Sequence, residues 1–549
     1  MTALIVPAIR PSRPAEDAGT GLGSNRAGHE SELRGRTVTI NGLTLAALPV
    51  GAILLDGLVR PRGGRYPVSV GRSLAGTWLL AWMMASLTGL FLFACGNLPV
   101  AVSLALGLLA LLTVASNAKH AMLGEPLLFS DLALIGAIFR HPQFYLSAVA
   151  IWQRIVAGLI ALVLFALLAW LFVPDVQPHL IGAATLAVSL AVLWLSLQSP
   201  PMRALAKVPA AHADVLRHGL MATLLLYWLR WRDSRDPETC AEAPRAPALQ
   251  SPELVVVIQC ESFADPAELF SNPNLALPGL AAAHEGAWRS GRLEVSGFGA
   301  YTMRTEYGVL FGLEEEDLGF RRYDPFLTAL GDSSYALPAR LKASGWRSVF
   351  AHPHDMRFYG RDRIMPAAGF AELVGEDRFA APAPGEGRYV TDAAMADEIV
   401  AIAAAATAPT MIYAVTIENH GPWAPDGHPS GDLKQSYLRL VRRSDAMLSD
   451  LIERLGALRR PALLVFFGDH RPSIPGATAP GGDRHTPYVM VRLDDAGKLA
   501  PGGYCRQDLT PAGLHHAILG AVLGDALPQG DAAARPTPAA PATEAAGHA

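Results

Sequence analysis

The chain has 549 residues, of which 51% are hydrophobic and 17% charged, and its formal net charge at pH 7 is −4. This length indicates more than one domain, and the lack of a basic excess argues against a nucleic-acid partner. Long apolar runs fill roughly the first 200 residues, whereas the remainder has the composition of a globular protein.

The N-terminal part is expected to be a membrane domain. Residues 1–36 are rich in Arg, Gly, Pro and Ser, a composition typical of disorder. After them, residues 74–95, 99–116, 155–173 and 180–197 are apolar and near the length that crosses a bilayer. A further stretch, 43–59, is marginal because it contains Asp56. We therefore predict a membrane domain over residues 37–198 with about five helices.

The distribution of basic residues leaves the orientation of this domain open. If residues 43–59 do not cross, Arg60, Arg72, Lys119 and Arg140 lie on the side of the Arg-rich N-terminus. The positive-inside rule then assigns that side, together with the C-terminal domain, to the cytoplasm. If residues 43–59 do cross, there are five spans and the C-terminal domain lies outside.

Two connecting segments allow two interpretations each. Within the linker 199–250, residues 219–231 (GLMATLLLYWLRW) predict a helix that lies at the membrane interface or packs on the C-terminal domain. Between the apolar runs, residues 117–132 (NAKHAMLGEPLLFSDL) form a polar loop in which Ser130 and Asp131 can cap a following helix. This loop is either a plain connector or a functional element.

Residues 251–525 alternate strand and helix patterns, which predicts an α/β domain with a mostly parallel central sheet. Apolar runs at 254–258, 349–351, 410–416 and 462–467 are typical of strands covered on both faces. Helical patterns fall near 336–344, 393–406 and 436–455. The last residues, 526–549, are rich in Ala and Pro and are expected to be disordered.

Polar residues after two of these strands, together with a distant threonine, form the candidate site. Glu261 follows the first strand, and Asp469 and His470 follow the last; functional groups in α/β sheets gather beyond the carboxyl ends of strands. Thr302, with Thr305 as a rival, stands at a helix start where a hydroxyl can attack phosphate. Such ligands suit Mn²⁺, Mg²⁺ or Zn²⁺. A structural acid and a capping threonine are the alternatives.

The motifs E-S-F at 261–263, T-x-x-T-E at 302–306 and G-D-H at 468–470 follow a membrane region in this order. The set resembles the sulfatase-type metalloenzymes of the alkaline phosphatase superfamily, and is similar to their lipoteichoic acid synthase and phosphoglycerol transferase branch. The resemblance implies that Glu261, Thr302, Asp469 and His470 hold a divalent metal ion, Mn²⁺ foremost. It also implies that Thr302 is the nucleophile.

Four further residues are expected to bind substrate because of the same resemblance. His352, Tyr359 and Arg361 match the family's histidine followed by an aromatic-x-Arg-Asp pattern, and a guanidinium can bind two phosphate oxygens. His420 lies in an N-H-x-P segment and can hydrogen-bond a phosphoryl oxygen or protonate the leaving group. A solvated loop is the alternative for the first three residues, and His485 is an open candidate.

The resemblance implies a multi-pass protein of the bacterial inner membrane with a periplasmic catalytic domain. This protein would move glycerol phosphate from a phosphatidylglycerol-type lipid through Thr302 to a glycan or polymer acceptor. The alternatives are a phosphoethanolamine transferase, a phosphodiester hydrolase and a non-catalytic membrane assembly protein. The presence of four cysteines disfavours the first, because that branch of the superfamily is rich in disulfides. Sulfate-ester hydrolysis is disfavoured, since no formylglycine-forming C-x-P-x-R or S-x-P-x-R sequence stands at Thr302.

Overall fold

The computed structural model describes residues 21–61, 72–132, 151–240, 251–383, 387–423, 432–500 and 505–524, and all their side chains except those of 21–38, 151–154 and 157. The chain divides into two compact units, Met1–Asn117 with Val149–Leu226 and Ala118–Ala148 with Tyr227–Ala549. The segment that begins at Ala118 lies between apolar helices in the sequence. It nevertheless belongs to the same unit as the C-terminal domain.

The first unit is built from helices. In chain order the helices are α1 (Gly21–Gly57), α2 (Leu74–Cys95), α3 (Leu98–Leu123), α4 (Ile151–Trp170), α5 (Val176–Gln198), α6 (Pro200–Arg203), α7 (Ala211–His218) and α8 (Leu220–Arg232). Within the described residues, Thr39–Gly57, Leu74–Cys95, Leu98–Leu123 and Val176–Gln198 are long and apolar enough to cross a membrane. The predicted multi-span helical region is thereby confirmed, and the marginal stretch 43–59 falls largely within one of these helices.

Some expectations differ from the structure or lie outside it. Residues 21–36, where the composition indicates disorder, form the first part of α1; the Glu, Leu, Ala and Arg residues of this stretch favour a helix. The predicted span 155–173 corresponds to α4, which is 20 residues long. Residues 1–20, the linker residues 241–250 and the tail 526–549 lie outside the described residues.

Small residues allow α2 and α5 to pack closely. A Cβ atom at Gly182 would lie 2.3 Å from the backbone nitrogen of Phe93, and the backbone of α5 approaches Gly89 in the same way. Ser86 Oγ donates a hydrogen bond of 2.9 Å to Ser189 Oγ across this contact. Close backbone approach and hydrogen bonds between hydroxyls are what hold helices together in an apolar solvent.

Asp56, the acid that makes its stretch marginal as a span, is paired. Its carboxylate accepts a hydrogen bond of 2.7 Å from Arg72 Nε and one of 3.1 Å from the Leu220 N–H. Charged residues in apolar helices are tolerated where they find such partners. The acid at the end of α1 therefore does not exclude this helix from a membrane.

The second unit is an α/β domain around one sheet. Its strands are β1 (Leu254–Cys260), β2 (Arg289–Leu293), β3 (Arg347–Ala351), β4 (Glu372–Val374), β5 (Thr410–Val415), β6 (Ala462–Gly468), β7 (Thr486–Leu493) and β8 (Cys505–Arg506). The sheet order is β4-β3-β5-β1-β6-β7-β2-β8. Among these described strands only β7 runs against the others. The predicted mostly parallel central sheet is confirmed.

Helices cover the sheet. They are α9 (Pro266–Leu269), α10 (Pro278–Gly286), α11 (Thr302–Phe311), α12 (Leu337–Lys342), α13 (Arg361–Ala367), α14 (Asp392–Ala405), α15 (Leu433–Ala457) and α16 (Pro511–Leu523). In the central strand β1, Leu254, Val256 and Ile258 join one hydrophobic core, whereas Val255 and Val257 join another. Successive side chains of a strand point to opposite faces, so a strand buried on both faces needs an unbroken apolar run.

Residues 219–231 form most of α8. Tyr227 is buried and packs edge-on against Phe320, with ring centroids 4.9 Å apart, and stacks on Tyr323 at 5.6 Å. These three aromatic residues all belong to the second unit. The C-terminal part of α8 thus packs within this unit, and a position of the helix at the membrane interface remains a prediction.

Candidate active site

The predicted metal-binding residues come together beyond the carboxyl ends of neighbouring strands. β1 and β6 are paired in parallel, with Cys260 opposite Gly468. Glu261 follows β1, and Asp469 and His470 follow β6, so the three side chains emerge next to one another. All three are buried.

The distances within this group are short. A carboxylate oxygen of Glu261, one of Asp469 and a ring nitrogen of His470 all lie within 4.8 Å of one another. His470 Nε2 is 3.6 Å from Glu261 Oε1 and 3.5 Å from Asp469 Oδ2. Thr302 Oγ1 lies 3.5 Å from the same ring nitrogen. The structure therefore brings together all four residues that the resemblance assigns to the metal ion.

The start of α11 presents the Thr302 hydroxyl to this cluster. The helix begins directly after Tyr301, whose backbone is left-handed with φ 79° and ψ 33°. A bulky residue adopts this conformation only where the surrounding structure holds it. The rival Thr305 is buried, and its hydroxyl donates a hydrogen bond of 2.7 Å to the Asp469 carbonyl oxygen. Thr302 is half-buried and keeps its hydroxyl beside the cluster.

Ser262 connects the two carboxylates, and the sequence reasoning did not assign it a role. Its N–H donates to Asp469 Oδ1 and its hydroxyl donates to Glu261 Oε1, each at 2.8 Å. The His470 N–H also donates to Asp469 Oδ1, at 2.8 Å. Asp469 Oδ2, in contrast, is buried and has no hydrogen-bond partner among the described residues. The serine of the E-S-F motif was the available signal for this role.

The electrostatics of the cluster fit a bound cation. Burial raises the pKa of Glu261, and the neighbouring Asp469 carboxylate raises it further, to about 8. When both buried carboxyl groups are ionised, a positive charge beside them offsets the cost of burial and gives the unpaired Asp469 oxygen a partner. A divalent ion would supply it, held by Glu261, Asp469, His470 and Thr302. The identity of the ion remains a prediction.

Arg361 lies in a buried ion pair with Glu306 of α11. Its Nε donates to Oε1 at 3.0 Å and its Nη2 to Oε2 at 2.5 Å, and the side chains are 2% and 0% exposed. Burial by itself would lower the pKa of Arg361, but the Glu306 carboxylate outweighs burial and raises it. The Tyr359 ring centroid lies 5.2 Å from the guanidinium carbon. Sequence reasoning missed the partnership with Glu306, and the binding of substrate by Arg361 and Tyr359 remains a prediction.

Two predicted histidines follow the adjacent strands β3 and β5, of which β5 neighbours β1. His352 comes directly after β3, and His420 lies a few residues after β5. Their Nδ1 atoms lie 2.9 Å from the Val415 carbonyl oxygen and 2.6 Å from that of Gly421, so each Nδ1 carries the proton. Burial lowers the pKa of both rings, which leaves them neutral at pH 7 with Nε2 able to accept a proton.

His485 belongs to a different group. Its Nε2 lies 2.8 Å from Glu268 Oε1, and its Nδ1 contacts the Asp483 carboxylate. Arg471 Nε donates a hydrogen bond of 2.7 Å to the His485 carbonyl oxygen. The imidazole is thus held between two exposed carboxylates rather than by the Glu261 cluster.

The chain is similar in sequence to known proteins. Residues 253–521 match the family described as Sulfatase. The chain is 31% identical over 432 residues to the capsular polysaccharide biosynthesis protein RkpI of Rhizobium meliloti (strain 1021), covering 74% of this chain and 80% of that protein.

The chain also matches parts of two solved structures. The lipoteichoic acid synthase LtaP from Listeria monocytogenes is 17% identical with a TM-score of 0.40, covering 54% of this chain and 76% of that one. The lipooligosaccharide phosphoethanolamine transferase A (EptA) from Neisseria meningitidis is 14% identical with a TM-score of 0.48, covering 82% of this chain and 96% of that one.

The chain combines apolar helices long enough to cross a membrane with an α/β domain that carries a carboxylate–histidine cluster beyond its parallel strands. These features define the class as membrane-anchored α/β proteins with a candidate metal site. Within that class, the family match and the identity to RkpI show that the chain belongs to the sulfatase family. The resemblance drawn from the E-S-F, T-x-x-T-E and G-D-H motifs is confirmed at this level.

Proposed function

We propose that the chain is a membrane-anchored, metal-dependent phosphoglycerol transferase of the bacterial inner membrane, with a periplasmic catalytic domain. It moves glycerol phosphate from a phosphatidylglycerol-type lipid to Thr302, and from there to a glycan or polymer acceptor. The observation that carries this proposal is the position of the Thr302 hydroxyl, 3.5 Å from His470 Nε2 in the buried cluster with Glu261 and Asp469. A hydroxyl activated by neighbouring groups is a common nucleophile toward phosphorus.

The proposed reaction has two steps. First, Thr302 Oγ1 forms a bond to phosphorus, the bond from phosphorus to the diacylglycerol oxygen breaks, and the proton of the threonine hydroxyl ends on the diacylglycerol oxygen. Second, the acceptor hydroxyl forms a bond to the same phosphorus, the bond from phosphorus to Thr302 Oγ1 breaks, and the proton of the acceptor hydroxyl ends on Thr302 Oγ1. The divalent ion, when bound, stabilises negative charge on the phosphoryl oxygens and lowers the pKa of a hydroxyl. His420 accepts the proton of the acceptor hydroxyl at Nε2, and His352, Tyr359 and Arg361 contact the phosphoglycerol group.

The membrane helices support a lipid as the donor. A catalytic domain that is tethered at the bilayer encounters the lipid head groups at a high effective concentration. The glycan acceptor is supported by RkpI, whose name describes capsular polysaccharide biosynthesis and of which the chain covers 80%.

The test uses the full chain in lipid nanodiscs that contain phosphatidylglycerol labelled in its head group, with Mn²⁺ added. We expect release of diacylglycerol and transfer of the label to the peptide that contains Thr302, as measured by mass spectrometry. Thr302→Ala should abolish the labelling because it removes the attacking oxygen. Thr302→Ser, the matched control, keeps a hydroxyl and should retain labelling.

The other outcomes identify the alternatives. Label that comes from phosphatidylethanolamine instead would indicate a phosphoethanolamine transferase. Release of free glycerol phosphate without any labelled acceptor would indicate a phosphodiester hydrolase. Diacylglycerol release that persists in Thr302→Ala would refute the role of Thr302, and absence of turnover in every variant would favour a non-catalytic assembly protein.

A further inference from the structure

Residues 118–132, which comprise the end of α3 and the loop that follows it, pack against the start of α11. Glu125 of this loop accepts two hydrogen bonds from Arg304, at 2.7 Å from Nη1 and 3.0 Å from Nη2. The two residues are 9% and 7% exposed. Arg304 lies in the first turn of α11, two positions after Thr302. The loop thus contacts the helix turn that carries the proposed nucleophile.

A cation of the same segment, Lys119, lies near Tyr301, the residue before Thr302. Lys119 Nζ is paired with the Asp131 carboxylate and lies 5.4 Å from the centroid of the Tyr301 ring. The guanidinium carbon of Arg304 lies 3.9 Å from the same centroid. A cation near an aromatic face is attracted by the ring. Tyr301 is therefore in contact with two cations, each of which is paired with a carboxylate of the loop.

These contacts surround Tyr301, whose backbone conformation is strained. Tyr301 has φ 79°, which for a bulky residue costs of order 1–3 kcal/mol and persists only where its surroundings enforce it. The Arg304 side chain also donates a hydrogen bond of 3.3 Å from Nε to the Tyr323 carbonyl oxygen, which carries no charge. Glu125 is accordingly the carboxylate that compensates the buried guanidinium stacked on Tyr301.

We propose that Glu125 is a positioning residue for Thr302, and that it acts through Arg304 and Tyr301. This inference rests on the proposed function, because it takes Thr302 to be the nucleophile. The loop orients the first turn of α11, so that the Thr302 hydroxyl faces the Glu261, Asp469 and His470 cluster. The active site is then assembled from two separate parts of the sequence.

The test compares Glu125→Gln with Glu398→Gln in the full chain. Glu398 pairs with Arg378 at 2.6 Å, and this pair is partly exposed and remote from α11 in the sequence. We expect Glu125→Gln to speed hydrogen–deuterium exchange of the peptide that spans residues 297–306. We also expect it to slow labelling of Thr302 per folded molecule by about 10- to 100-fold, the effect of a small misplacement of a reacting group. Glu398→Gln should change neither quantity.

A double variant separates positioning from simple stability. Glu125→Gln with Arg304→Gln removes the unpaired charge, so thermal stability should recover while labelling stays slow. Recovery of labelling in the double variant would overturn the inference, as would wild-type exchange and labelling in Glu125→Gln. If the wild-type chain acquires no label at Thr302, the proposed function fails. The exchange measurement then still decides whether Glu125 holds the start of α11.

Discussion

The ion pair between Arg361 and Glu306 permits a quantitative prediction. Both side chains are almost fully shielded from water, at 2% and 0% exposure, and they share two hydrogen bonds. Glu306→Gln leaves the Arg361 guanidinium buried without a negative charge beside it. Arg361→Met leaves the Glu306 carboxylate buried without a positive charge beside it. Breaking a buried pair in this way costs about 3–5 kcal/mol.

The expected shift is large enough to measure by thermal unfolding. At about 2–4 °C per kcal/mol for a sizeable domain, either single variant should lower the melting midpoint by on the order of 10 °C. The assay follows circular dichroism of the full chain in detergent. The double variant Glu306→Met with Arg361→Met should melt near the wild type, because replacing both charges by apolar side chains is often neutral.

The control is a pair at the surface. Asp397 pairs with Arg454 at 2.8 Å, with side chains 72% and 34% exposed, and Asp397→Asn should cost less than about 1 kcal/mol. If the two single variants melt within about 2 °C of the wild type, the pair is hydrated in solution. The argument from burial would then be refuted.

Three further outcomes are expected. Asp469→Asn alters a proposed metal ligand, so it should weaken Mn²⁺ binding, as measured by calorimetry, by at least about tenfold, which is the loss expected when only a residue that hydrogen-bonds to a ligand is removed. Unchanged affinity would contradict the metal assignment. Burial and Glu418 raise the pKa of Asp392 from 3.8 to about 7, so the wild type loses stability as pH rises through this range. In Asp392→Asn the melting temperature should change less with pH than in the wild type. A pH dependence as steep as that of the wild type would refute this role of Asp392. At Gly299, where φ is +66°, a Cβ atom would lie 2.2 Å from a serine side chain, so Gly299→Ala should lower the free energy of unfolding by about 1–3 kcal/mol. The control is Gly482→Ala, whose Cβ atom would have no atom within 4 Å, and it should melt like the wild type.

Apolar patterning made much of the fold predictable. A central strand covered on both faces has no polar position, so the run at 254–258 identified β1 and the run at 462–467 identified β6. Since parallel strands end at one edge of the sheet, the residues that follow them meet. For this reason the sequence alone predicts that Glu261, Asp469 and His470 lie together.

The partners of buried charges could not be predicted in the same way. Arg361 has the same local pattern whether its guanidinium faces a substrate phosphate or Glu306, 55 positions away. Glu125 and Arg304 are 179 positions apart, and a loop rich in polar residues gives no periodic signal for such a contact. Ion pairs between distant residues depend on tertiary packing, which propensity and periodicity do not encode.

The grouping of residues 118–132 with the α/β domain in one compact unit has a consequence for any attempt to express that domain alone. A fragment that begins after residue 226 lacks Glu125, and it therefore leaves the buried Arg304 guanidinium without the carboxylate that pairs with it.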